Sequence, residues 1–148
     1  MSADAGGPAQ PFSVALGPAR LHFALAQSMS VFRDYEWRVL GLLAPGALSP
    51  EQIEAVAREG TFVSYEYSGN GYFLTVAHPS IPAERRVCSQ PVVMGHAEGI
   101  DCGFILFIED GKLMMECHTW GAVDVPDGYR EKDVRVEVAN NVTRMGKS

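Results

Sequence analysis

Two spacings of apolar residues divide the chain. Between Asp34 and Leu43, Trp37, Leu40 and Leu43 recur at three-residue steps, which predicts a short helix ended by Pro45-Gly46. Ser49-Pro50-Glu51-Gln52 predicts the start of a second helix. Its serine can accept from free amides, its proline suits the first helical turn, and its glutamine completes a reciprocal capping box. Ile53, Val56 and Ala57 would line the inner face of this helix, Glu51, Glu54, Arg58 and Glu59 its wet face, and Gly60 its end.

After Gly60 the period shortens to two. Residues 61–67 and 72–77 are rich in β-branched and aromatic side chains and flank Ser68-Gly69-Asn70-Gly71, a hairpin pattern. Residues 85–96 read as a strand carrying Pro91, hence an edge or an interrupted element. Residues 103–109 and 112–120 predict a second hairpin about Asp110-Gly111, and 133–138 alternate as a final strand. The expected fold class is therefore α+β: two N-terminal helices packed on one face of a mainly antiparallel sheet of about five to six strands.

The second hairpin carries the most information. A two-residue type I′ turn would set Ile108 opposite Leu113, Leu106 opposite Met115 and Phe104 opposite Cys117, a continuous core face. Alternation then sends Met114, Glu116, His118 and Trp120 to the other side. A carboxylate, an imidazole and an indole on one side of a strand suit partner recognition, the indole being a large contact with a single donor. Tyr129 is the fourth candidate contact, on the expectation that its loop flanks the Trp120 face.

Composition narrows the functional classes. The 148 residues suit one domain, expected over 12–148 behind a flexible leader at 1–11 that lacks the basic and apolar regions of a secretory signal. Twelve Lys and Arg against eighteen Asp and Glu give a net charge of −6. That balance disfavours a nucleic-acid partner and suits a basic protein. No apolar run approaches the length of a membrane helix. Three cysteines are an odd number and fit reduced thiols in a cytoplasm.

Catalytic and metal patterns are weak. Cys88, His96, Cys102, Cys117 and His118 lack the short Cys–Cys or His–His spacings of structural metal sites, and Cys117 and His118 would face opposite ways on a strand. Gly69-Asn70-Gly71 lacks the glycine spacing and following helix of a phosphate cradle. No metal and no cofactor are expected.

The run Leu106-Phe107-Ile108-Glu109-Asp110-Gly111-Lys112-Leu113-Met114-Met115-Glu116, with Pro126 beyond it, resembles a motif of a loose group of small uncharacterised bacterial proteins. The Trp37–Leu43 and Ser49–Gly60 segments also resemble that group's helices, so the likeness covers about residues 34–126. Some members are similar to immunity proteins encoded beside polymorphic toxins. The resemblance implies a protein that occludes a toxin's active site. The expected function is thus a non-enzymatic protein-binding domain, immunity-like, with a basic toxin domain as its partner. Two alternatives stand beside it. One is a small-ligand-binding domain or hydrolase, with His118 as general base and Glu116 orienting it. The other is a homodimer formed through the long strands or through residues 12–33.

Overall fold

The computed structural model describes residues 30–120 and 124–139; the expected leader and most of the 12–33 segment lie outside them. Helix α1 spans Asp34–Leu43 and passes through a 3₁₀ turn, Ala44–Gly46, toward helix α2, Pro50–Glu59. The Ser49 box forms as expected: its hydroxyl accepts from Gln52 N–H at 3.1 Å, and the Gln52 side chain accepts from Ser49 N–H at 2.7 Å. In α1 the buried side is Tyr35, Glu36, Val39, Leu40 and Leu43. Trp37, expected on that side, packs only partly against the core, so the inward stripe is rotated and includes a carboxylate.

The strands are β1 Thr61–Tyr67, β2 Gly71–Ala77, β3 Arg86–Cys88, β4 Val93–Ala97, β5 Ile100–Glu109, β6 Lys112–Thr119 and β7 Arg135–Val138. They form one antiparallel sheet in the order β1-β2-β6-β5-β4-β7, with β3 also paired to β5. The α+β class holds, and the helices precede every described strand. Seven strands replace five or six because the 85–96 segment divides around Pro91, whose ring removes a ladder donor. Both halves pair with the ten-residue β5, β4 along Ile100–Gly103 and β3 along Leu106–Ile108. Glu98 and Gly99, both at positive φ, turn β4 into β5.

At the second hairpin Asp110 and Gly111 both take positive φ, and the register is the expected one. Leu74, Leu106, Ile108, Leu113, Met115 and Cys117 are buried on the side that carries the helices. The Tyr35 ring of α1 lies 6.2 Å from Phe104 of β5 on that side. No described helix covers the reverse side. Its residues Phe73, Met114, Ile105, Phe107 and Met94 are half-buried. No helix among the described residues is long and apolar enough to cross a membrane.

Candidate functional site

The helix-free side is organised in rows across neighbouring strands. In one row His118 lies between Gly71 of β2 and Gly103 of β5. Two strands without side chains beside it leave a shallow bare strip, and Trp120 fills part of it. A Cβ at Gly103 would overlap the Trp120 indole nitrogen and stand 3.0 Å from His118 Nε2. Gly103 therefore seats the indole against the imidazole. Trp120 nevertheless remains 44 % exposed, a large surface for contact.

The next row runs Glu66, Phe73, Glu116, Ile105 across β1, β2, β6 and β5. Phe73 is thus flanked by a carboxylate on either side, and neither Glu66 nor Glu116 forms a hydrogen bond or ion pair among the described residues. A further row sets Thr75, Met114, Phe107 and the exposed Val87 side by side. The result is an apolar band with unneutralised negative charge within it.

His96 of β4 supplies a charged node at the far side of this face. Its Nδ1 lies 2.6 Å from Asp101 Oδ1 of β5, and its Nε2 lies 2.7 Å from Glu137 Oε2 of β7. The Asp101 hydrogen bond raises the imidazole pKa, partial burial lowers it, Glu137 raises it again, and the net direction is up. The imidazolium so favoured bridges three strands. The sequence pattern suggested His96 only as a metal ligand. The signal for its real neighbours was the alternation that puts His96 and Glu137 on one side, readable only once β4 and β7 are known to pair.

Of the four expected contacts, Glu116, His118 and Trp120 share one side as alternation required. Tyr129 does not join them. It is 1 % exposed, and its hydroxyl donates to the Ile100 carbonyl oxygen at 3.2 Å. The 3₁₀ turn Tyr129–Glu131 carries it onto the helix-bearing side, where Arg130 reaches Glu36 of α1. As a buried packing residue Tyr129 offers a partner no surface, which corrects its place beside Trp120.

No hydrogen bond joins Glu116 to His118, and His118 Nδ1 is buried without a partner among the described residues. Two concavities of about 510 and 520 Å³ lie elsewhere, one beside Arg33, Arg38 and Arg130, the other between Trp37, Leu48 and Ile53. Among the described residues no three His, Cys, Asp or Glu side chains converge to hold a metal ion. No protein-family model, curated protein or solved structure matches the chain.

Proposed function

We propose that this chain acts by binding another protein through the helix-free side of its sheet, around Trp120, His118 and Glu116. The observation that carries the reading is the half-exposed indole seated over Gly103 at the border of an apolar band. Anchors of this kind dominate binding energy at interfaces. The chemistry of the partner follows from the Glu66–Phe73–Glu116 row. A lysine or arginine laid on the Phe73 ring would gain a ring-face contact and two carboxylates at once. A net charge of −6 would speed the approach of such a basic surface.

The finer reading is an immunity-like protein that neutralises a basic toxin domain by covering its active site. The resemblance of the 106–116 segment supports it. Three unpaired, buried cysteines suit action in the cytoplasm, where thiols stay reduced.

The test is co-expression with any toxin encoded beside its gene, followed by calorimetric titration of the purified pair. Wild-type chain should protect the cells and bind. Trp120→Ala should keep its melting curve and lose about 2 kcal/mol or more of affinity. Absence of a toxin-like neighbour, or affinity unchanged by Trp120→Ala, would sink the reading.

A further inference from the structure

The two outer strands of the sheet differ in how they are finished. β7 is four residues long and alternates the exposed charges Arg135 and Glu137 with its inward valines, the usual protection of an edge against pairing. β1 is seven residues long, Thr-Phe-Val-Ser-Tyr-Glu-Tyr, and carries one charge. Three of the five large apolar residues most exposed in the described chain lie on it: Phe62 at 53 %, Val63 at 43 % and Tyr67 at 43 %. Among the described residues, no backbone hydrogen bond reaches Thr61–Tyr67 from anything but β2.

The hairpin fixes which groups are free. Ser68 N–H donates to Gly71 O at 3.0 Å, which makes that pair hydrogen-bonded. Alternation of wide and narrow pairs then turns the N–H and C=O of Tyr67 and Tyr65 away from β2, toward the open edge. The bulge at Val63 interrupts this only at the start of the strand, leaving Ser64–Tyr67 regular.

We propose that β1 pairs with β1 of a second copy of this chain, antiparallel about a two-fold axis through Tyr65. The strand is complementary to itself in that register. Tyr65 meets Tyr65, the one carboxylate, Glu66, meets Ser64 rather than another Glu66, and the bulged, exposed Val63 comes alongside exposed Tyr67 at the end of the regular pairing. An isologous pairing of this kind closes at two copies and joins the sheets into one of fourteen strands, whereas β1 on β7 would grow without end. A single strand pair buries an area below about 1,200 Å², so the dimer is reversible and concentration-dependent. Each copy bears −6, so added salt screens the repulsion and tightens it.

Sedimentation of the full-length chain over a micromolar concentration series tests this, together with hydrogen exchange at each concentration. A monomer–dimer equilibrium strengthened by salt is expected, with the Tyr65 and Tyr67 amides gaining protection as the dimer forms. Val63→Lys, an exposed change, should weaken the dimer at least roughly tenfold. Trp120→Ala should leave it untouched, which separates the β1 seam from the indole anchor proposed for the partner, although Glu66 borders both. A monomer at every concentration, a dimer indifferent to Val63→Lys, open-ended assembly, or protection of β1 only when another protein is added would each overturn the proposal.

Discussion

The Glu36 carboxylate, fully buried, receives two hydrogen bonds from the Arg130 guanidinium, at 2.9 Å from Nε and 2.8 Å from NH2. Ninety-four positions separate the two residues in the chain. Tyr72 O–H donates to the same carboxylate at 2.5 Å, and Arg33 N–H caps it at 2.8 Å. The Tyr35 hydroxyl has a choice of acceptors, the Tyr72 oxygen at 2.8 Å or the Arg130 carbonyl at 3.0 Å. Burial first, and then the Glu36 charge, push both phenol pKa values up, so each keeps the proton it donates. For Arg130 burial works downward, but the Glu36 hydrogen bonds and charge prevail and its pKa rises. This network joins α1, β2 and the 129–131 turn across the top of the core.

Removing one side of that pair should be far worse than removing both. Arg130→Met strands a buried carboxylate and is expected to cost about 3–5 kcal/mol in urea unfolding. Adding Glu36→Gln to it should recover part of the loss, because the remaining groups are neutral. Additive losses would show that the two groups do not act as a pair.

Stability should depend on pH through His96. Asp101 and Glu137 raise its folded-state pKa above the unfolded value, so the folded state holds the proton more tightly. The gain is complete below the unfolded value near about 6.5 and disappears as pH climbs through the folded one. Wild type should therefore exceed His96→Gln most on the acid side of that window. The node sits at the surface, so the gap should stay under about 1 kcal/mol. A gap that widens with rising pH would contradict the assignment.

Two glycines of the His118 row should respond differently to alanine. At Gly71 the new Cβ would overlap the carbonyl oxygen of Cys117, a backbone atom fixed in β6, and the expected cost is about 3 kcal/mol or more. At Gly103 it meets the tips of Trp120 and His118, and Trp120 has solvent to turn into. Gly103→Ala should unfold near the wild-type denaturant midpoint while shifting the indole fluorescence. Similar losses of stability in the two variants would refute the distinction.

Ser49→Ala should lower stability by about 1 kcal/mol, because it removes the hydroxyl that accepts from Gln52 N–H. Ser49→Asp should restore most of it. Equal stability of wild type and Ser49→Ala in thermal unfolding would mean that the cap contributes nothing.

Local patterns were legible in the residues alone, and distant ones were not. Ser49-Pro50 and Gln52 announce α2, and Asp110-Gly111 fixes the pairing of β5 with β6 down to single residues, because both signals act within a few bonds. The same locality put Glu116, His118 and Trp120 on one side. Tyr129 was expected beside Trp120 because sequence shows no more than that a loop follows β6; the contact that draws this loop to the other side is that of Arg130 with Glu36. Nothing local singles out Glu36, because the cation that makes its burial possible lies ninety-four positions away. The Glu98-Gly99 turn passed unnoticed, since it follows the five-residue β4, whose Val-Met-Gly-His-Ala sequence alternates only weakly.

The tie between positions 36 and 130 also constrains how this protein can be made. A chain emerging from the ribosome exposes α1 long before Arg130 is synthesised. Until then the carboxylate that belongs at the centre has no cation to meet. Final consolidation must wait until that turn has been made, and fragments cut short before it should be the ones that proteases and chaperones find first.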